Sequence, residues 1–235
     1  MIDKLHLKSK YTWLLLFSVE LTDMTTQPNP AELELVEPTN SILNETASEV
    51  LAEEISSPFV QGVIDRMIQL SEGKGHSKED SRQMVGLAAV QLGVSLRIVT
   101  IDVSADGSNK EQNLVVFINP KITHKSTATV PGREGCWSCG NICGNVERAQ
   151  KLTLNGLDRH GVPISRDLTD FVARIAQHEL DHLDGVRFPD RIPADEPDRL
   201  HWVEPSEFER YRTEWKTWPN LCLREKWDKM KAGQA

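Results

Sequence analysis

The segment His178-Glu179-Leu180-Asp181-His182 constrains the fold of this chain more than any other feature. On an α-helix, residues four positions apart lie on one face, so both imidazoles point the same way and can bind one metal ion. Glu179, beside the first histidine, is placed to accept a proton from water. Phe171 and Ile175 fall on the same face of a helix predicted over 169–183. The two histidines therefore emerge from the buried side of that helix.

A site with two histidines is incomplete, because a catalytic zinc-type site has three protein ligands and one open position. Cys136 is the natural third ligand, since a thiolate binds Zn²⁺ or Fe²⁺ well. It follows Gly135, which allows close approach of the backbone. Cys139 and Cys143 have the spacing of a larger metal knuckle, but no fourth ligand lies nearby in the sequence. Both are therefore predicted to be ordinary small buried residues.

The order of the predicted elements favours an α+β fold over a repeating βαβ winding. A helix begins at Ser57-Pro58, where serine suits the N-cap and proline the first helical position, and it ends at Gly73. β-Branched content or alternation predicts strands at four places, followed by the helix over 169–183. The predicted strands are 97–102, 114–119, 151–157 and 162–164.

Both ends of the chain are predicted to extend a single central domain. Residues 1–33 form a disordered N-terminal extension, or translation begins at Met24. Residues 34–192 form the catalytic domain, and residues 193–235 a partly helical tail packed on it. The tail is polar but carries tryptophans that are expected to make this packing. They are Trp202, Trp215, Trp218 and Trp227.

Charge and cysteine content limit the partners and the compartment. The net charge of −8 gives no electrostatic reason to bind nucleic acid. Four cysteines in 235 residues do not form the framework of a disulfide-rich secreted domain. The apolar run at 13–17 is too short to span a bilayer, and no arginine precedes it to make a transit signal. We expect a cytoplasmic protein, with an organelle as the alternative, and no membrane partner.

Three segments, in order, resemble the three signature motifs of the peptide deformylase family. They are Gly86–Gln91, Glu134–Ser138 and Gln177–His182, and the resemblance extends from about Leu35 to Ile192. It implies antiparallel strands packed around a central metal-binding helix. It also implies an enzyme that removes the formyl group from the N-terminal formylmethionine of new polypeptides and releases formate. The expected partner is therefore the nascent formylated chain, near the ribosome.

The resemblance also implies roles for individual residues. Cys136, His178 and His182 would bind one divalent metal ion, Fe²⁺ first, with Zn²⁺ or Ni²⁺ also able to bind. Glu179 would be the general acid and base. The side-chain amide of Gln91 and the backbone N–H of Trp137 would stabilise the oxyanion. Val85, Gly86, Gly135 and Ile175 would contact the substrate.

Several positions depart from the family's pattern and leave two alternatives open. Met84 stands where a glycine is common, Val90 where a proline is common, and Trp137 where a leucine is common. Arg174 looks out of place beside a methionine pocket, and Asp181 reads as a solvated carboxylate. One alternative is an inactive, metal-binding deformylase-like protein. The other is a zinc-type metallopeptidase, against which a cysteine ligand argues.

Overall fold

The protein is described by a computed structural model, which covers residues 27–74, 83–106 and 111–234. The apolar run at 13–17 and most of the predicted extension lie outside these residues. In chain order, the helices and strands are α1 (Pro58–Ser71), β1 (Gly86–Ala88), β2 (Ile98–Asp102), β3 (Leu114–Lys125), β4 (Thr129–Gly135), β5 (Ile142–Ala149), β6 (Lys151–Leu157), β7 (Pro163–Thr169), α2 (Asp170–Leu183), β8 (Leu200–Trp202), α3 (Phe208–Glu214) and α4 (Arg224–Lys231).

Two antiparallel sheets form the body of the fold. The larger has five strands in the order β1-β2-β3-β6-β7, and the smaller has three in the order β4-β5-β8. Helix α2 contacts strands of both sheets, β1 and β2 on one side and β5 on the other. The prediction of an α+β fold with antiparallel strands is confirmed. Among the described residues, β1 and β4 lie at sheet edges, so each has one edge without a partner strand.

Helix α1 has the start that its sequence predicts. The Ser57 hydroxyl accepts a hydrogen bond from the Val60 N–H at 3.2 Å, and Pro58 occupies the first turn. One face of the helix, including Val63 and Met67, is fully buried. This apolar face packs against β1 and β2.

Helix α2 also matches its prediction, and its end is sterically fixed. Gly185 has a φ of +68°, and a Cβ at this position would lie 2.6 Å from the Asn44 carbonyl oxygen. Only glycine fits both conditions, since a side chain would be strained and would collide with backbone. The helix is buried along most of its length, and its fully buried residues include Ala173, Ala176 and Leu183.

The strands were predicted unevenly. All four predicted strands begin within one residue of the observed ones, but β3 continues to Lys125 and β7 to Thr169. Strands β1, β4, β5 and β8 were not among the predicted strands. Strand β4 contains Pro131, Gly132 and Gly135, which have poor β-propensity, so its extended conformation depends on pairing with β5.

The segment before α1 corrects one prediction. Residues Pro30–Glu32 form a 3₁₀ helix against α1, and Leu33 is buried. The side chain of Arg66 donates to the Leu33 carbonyl at 2.7 Å. Disorder up to residue 33 is therefore wrong for 30–33, because this backbone is held by α1.

The tail after residue 193 follows the domain surface and is only partly helical. Strand β8 pairs with β5 through Cys143 and His201, which extends the smaller sheet. Trp218 and Trp227 are buried, whereas Trp202 and Trp215 are half-buried. Across the described residues, we find no helix with the length and apolar content needed to cross a bilayer.

Candidate metal centre and cleft

Cys136, His178 and His182 come together although they lie in two separate segments of the chain. Cys136 directly follows the last residue of β4, and the histidines lie one turn apart on α2. Their three potential ligand atoms lie within 4.8 Å of one another. The Cys136 Sγ is 3.4 Å from the His182 Nε2. The three residues predicted as metal ligands thus form one cluster.

The orientation of His178 is set by Glu134. The His178 Nδ1 lies 2.9 Å from a Glu134 carboxylate oxygen. Burial opposes ionisation of Glu134, but hydrogen bonds and charges from Arg148 and His178 hold its pKa well below its usual value. An ionised carboxylate accepts from Nδ1–H, which leaves the lone pair of Nε2 free for a metal ion.

Cys136 is in surroundings that favour the thiolate. A hydrogen bond from the Cys139 thiol lowers the pKa of Cys136 well below its usual value, in spite of burial, and His182 adds to the effect. The thiolate is the form of cysteine that binds metals. Cys139 and Cys143 are buried and unpaired by disulfides, as predicted.

A group of charged side chains, buried except for Arg191, supports this cluster, and the sequence did not predict it. Arg148 bridges both oxygens of Glu134, at 2.9 and 2.8 Å, and Asp181, at 2.6 Å. Arg191 also pairs with Asp181 at 2.6 Å. We call Glu134, Arg148, Arg174, Asp181 and Arg191 the charge network. The prediction that Asp181 is solvated is wrong, because it is buried between two arginines.

The charge network also explains Arg174. Its guanidinium donates to Glu134 at 2.8 Å and to the carbonyls of Val130 and Val146 at 2.7 and 2.8 Å. It also lies against Gly132, where a Cβ would come within 2.7 Å of it. The side chain therefore binds strands β4 and β5, so its charge is neutralised beside the cleft.

Glu179 is buried beside the cluster with an unpaired oxygen. Burial raises the pKa of its carboxyl to about 7. Within the described residues, its Oε2 has no hydrogen-bond partner, and neither has the buried Nδ1 of His182. Buried polar atoms normally have partners, so both atoms point to a further occupant such as water. A Cβ on Gly86 would lie 2.5 Å from Glu179 Oε1, so only glycine allows this close approach.

Gln91 is held with its amide nitrogen towards the cluster. It lies in a 3₁₀ helix, Ala89–Leu92, that directly follows β1. Its Oε1 accepts from the Ala88 N–H at 2.9 Å, and its Nε2 donates to Ser138 Oγ at 3.1 Å and to Cys136 Sγ at 3.4 Å. Because one end is fixed by backbone, the other end presents its N–H groups beside the cysteine. No spacing pattern in the chain indicates Ser138 as a partner of Gln91.

Trp137 begins a 3₁₀ turn, Trp137–Cys139, directly after the cysteine. The first N–H of a helical turn has no acceptor within that turn, so it is available to a ligand. The ring is 46% exposed at the mouth of the cleft. The substitution of leucine by tryptophan therefore alters the cleft entrance and leaves the backbone N–H in place.

The residues predicted to contact substrate line one cavity of about 300 Å³. The cavity lies between the edge strands β1 and β4, with His178 and Glu179 in its wall. The predicted contacts in this wall are Val85, Gly86, Gly135 and Ile175. Two departures are accommodated nearby. The Met84 backbone bonds to Ser71 and to the Gln112 side chain, both at 2.9 Å, and Val90 is fully buried in the core.

The donor set fits a divalent transition metal. One thiolate and two imidazoles suit Zn²⁺, Fe²⁺ or Ni²⁺ and do not suit Mg²⁺ or Ca²⁺, which prefer oxygen. Both ligand types are prepared by their neighbours, His178 by Glu134 and Cys136 by Cys139.

Comparison with known proteins agrees with this centre. A family model described as polypeptide deformylase matches residues 32–198. The chain is 43% identical to the peptide deformylase of Pseudothermotoga lettingae over 110 residues, 47% of this chain and 60% of that one. It is 32% identical to the chloroplastic peptide deformylase 1A of Solanum lycopersicum over 171 residues, 68% of this chain and 59% of that one. The matched part therefore spans about three fifths of each of these two relatives.

A solved structure gives the same answer. The Met-Ala-Ser-bound class I type b peptide deformylase of Acinetobacter baumannii superposes with a TM-score of 0.59 at 32% identity. The match covers 68% of this chain and 98% of that one. The chain belongs to the polypeptide deformylase family, whose members are metal-dependent hydrolases.

Proposed function

We propose that this protein is an active peptide deformylase that removes the formyl group from N-terminal formylmethionine and releases formate. The observation that carries the proposal is the position of Glu179. A buried carboxyl with an unpaired oxygen lies beside a Cys-His-His cluster, in the wall of a cavity that opens between two edge strands. A protein that only bound metal would have no need for such a group.

Cys136, His178 and His182 would hold one divalent ion, which makes α2 the central metal-binding helix. Fe²⁺ is our first choice, and Zn²⁺ and Ni²⁺ fit the same donors. When bound, such a cation supplies Lewis acidity and lowers the pKa of water to about 7. The charge network holds His178 and Cys136 in position relative to each other, because Glu134 lies two residues before Cys136 and binds His178.

Glu179 moves the proton in the reaction. Its free Oε2 accepts a proton from the attacking water and then passes it to the leaving amine nitrogen. A pKa of about 7 suits both steps near neutral pH, since neither protonation state is strongly disfavoured. Gly86 leaves room for this carboxyl, and Ile175 packs beside it.

Gln91 and Trp137 stabilise the developing negative charge on the formyl oxygen. The Gln91 Nε2 lies 3.4 Å from the Cys136 Sγ, and the Trp137 N–H belongs to the residue that directly follows Cys136. Donors of this kind accelerate acyl transfer when they are fixed before the reaction. The hydrogen bond from Ala88 to Gln91 provides that fixation.

The substrate enters as an extended strand between β1 and β4. Both are edge strands, so they offer free backbone groups to a peptide. The methionine side chain fits the apolar part of the cavity wall at Val85 and Ile175, with Gly86 and Gly135 allowing close approach of the peptide backbone. We propose that the substrates are nascent chains close to the ribosome, and that the protein acts in the cytoplasm without direct contact to nucleic acid.

Of the two alternatives, family membership excludes the zinc-type metallopeptidase. The alternative of an inactive deformylase-like protein is tested by measuring formate release from an N-formylmethionyl peptide. The protein is loaded with Fe²⁺ under anaerobic conditions for this assay. We expect metal-dependent release on the order of 1 s⁻¹ or more. Folded protein with one bound metal and no release would establish the inactive alternative.

The matched variant is Glu179→Gln. It keeps the size of the side chain and removes only the proton transfer, so we expect a loss of about 10²–10⁴ in kcat. Metal content, measured by elemental analysis, should stay at the wild-type level because Glu179 is not a ligand. Turnover equal to wild type would refute the role of Glu179.

A further inference from the structure

A second, larger cavity continues from the cleft towards the tail of the chain. It has a volume of about 640 Å³ and shares Met84, Arg133, Gly135 and Trp137 with the first cavity. Its opposite wall comes from the segment around α3, namely Pro205, Phe208, Glu209, Tyr211 and Arg212. A peptide that leaves the metal centre past Trp137 therefore enters this second cavity, which we call the tail cavity.

The α3 wall of the tail cavity lies beyond the family match, which ends at residue 198. It is held firmly. The Tyr211 side chain is buried, and its hydroxyl lies 2.8 Å from the His201 Nδ1. The Trp218 indole N–H donates to the Trp202 carbonyl at 2.9 Å, and strand β8 pairs with β5. The wall is thus a fixed surface beside the cleft.

Arg133 stands where the two cavities meet, and none of the described residues pairs with its side chain. It lies on β4, where residues alternate between faces, so it points away from its buried neighbour Glu134 and towards the cleft. It is half-buried, and within the described residues its guanidinium neither donates a hydrogen bond nor forms an ion pair. Burial, followed by the charge of Arg212, lowers the pKa of Arg133. A partly desolvated cation of this kind is costly unless a ligand pairs with it.

The tail cavity is lined by two arginines and by Glu37, Glu134 and Glu209, so the case for an anion concerns the surroundings of Arg133 and not the whole cavity. The charge of Glu134 is taken up by Arg148 and Arg174. Arg212 pairs with Glu209 at 3.5 Å, where both side chains are exposed, so Glu209 offsets little of the charge of Arg212. The apolar surface of Phe208 and Trp137 flanks the two arginines, which suits a peptide backbone with one charged side chain.

We propose that the tail cavity binds the part of the substrate that follows formylmethionine, and that Arg133, assisted by Arg212, selects an acidic side chain there. The proposal rests on the deformylase function proposed above. An aspartate or glutamate would form a charge-assisted pair with Arg133, whereas a lysine would face two like charges.

The test uses metal-loaded, full-length protein and formylmethionyl tripeptides with Asp, Ala or Lys at the second or third position. We expect a kcat/KM about fivefold higher for Asp than for Lys in at least one position, carried mainly by KM. R133E should reverse the preference, and R212E should reduce it. R166E, which changes an exposed arginine on β7, is the matched control and should keep the wild-type preference. If R133E does not fold, R133Q should abolish the preference without reversing it.

A binding measurement separates this inference from the catalytic proposal. Calorimetry with the deformylated peptides Met-Ala-Asp and Met-Ala-Lys should give the same order of affinity without any turnover. Formate release from all peptides with no preference in either assay overturns the tail cavity selection and leaves the deformylase function standing. Absence of turnover together with an Arg133-dependent binding preference overturns the deformylase function and leaves the tail cavity selection standing.

Discussion

The two ends of the cleft are built from different interactions. At the metal centre, side chains are positioned by buried ions that share partners, as Arg148 does between Glu134 and Asp181. At the tail cavity, the wall is positioned by aromatic rings, with Tyr211 edge-on to Trp218 at 5.1 Å between ring centroids. Removing one member of the charge network leaves other buried charges with fewer partners, whereas removing one aromatic contact costs only that contact.

The difference suits the two tasks. Proton transfer and oxyanion stabilisation depend on positions fixed to within a fraction of an ångström, and shared ion pairs fix position in all directions. Peptide selection beyond the first residue tolerates looser geometry, for which packed rings are sufficient. The comparison therefore predicts large effects at the metal centre and small effects in the wall.

The largest effect on stability is expected from Arg148→Met. The substitution leaves Glu134 and Asp181 buried with fewer partners, so we expect the free energy of unfolding to fall by about 3–5 kcal/mol. Urea unfolding of the metal-loaded protein measures it. The matched control is Arg210→Met on α3, which removes a cation–π contact with Trp218 and exposed ion pairs with Glu207 and Glu214, and it should cost about 0.5–1 kcal/mol. Equal losses in the two variants would break the comparison.

Gln91→Ala should have the next largest effect, this time on catalysis. It removes one donor to the oxyanion, so kcat/KM for a formylmethionyl peptide should fall about 10²–10³-fold, equivalent to about 2.7–4 kcal/mol. Gln61→Ala is the control, since the described partners of that amide are Ile55 and Arg159, away from the metal centre. A loss below tenfold for Gln91→Ala, with metal content intact, would remove Gln91 from the mechanism.

The sequence predicted the metal ligands better than the charged side chains that hold them in position. The ligands Cys136, His178 and His182 were found because their residue types and helical spacing identify metal chemistry without any knowledge of the fold. Arg148 could not be found in this way, because its partners Glu134 and Asp181 lie 14 and 33 residues away. Only the pairing of β4 with β5 brings them together, and β4 itself is poor in strand-forming residues.

Dependence on strand pairing also explains why the surroundings of Asp181 and Arg174 and the position of the tail were not predicted. Asp181 and Arg174 look solvated or misplaced on a helical wheel, which describes one helix and not the strands packed on it. The polar sequence of α3 gives no sign that it lines the cleft. That position follows from the pairing of β8 with β5, a contact between residues almost sixty positions apart.

Tyr211→Phe is the smallest predicted effect and the sharpest test of the comparison. The His201 Nε2 donates to the Asp198 carbonyl, which leaves Nδ1 to accept the Tyr211 hydroxyl hydrogen. Loss of that hydroxyl keeps the ring in place and removes one buried hydrogen bond, so unfolding should become easier by about 1 kcal/mol. Formate release from a formylmethionyl dipeptide should be unchanged, because the hydroxyl bonds to His201 and not to Glu179 or Gln91. A fall in kcat/KM as large as that of Gln91→Ala would mean that the α3 wall and the metal centre form one rigid unit. The division between the two regions would then be wrong.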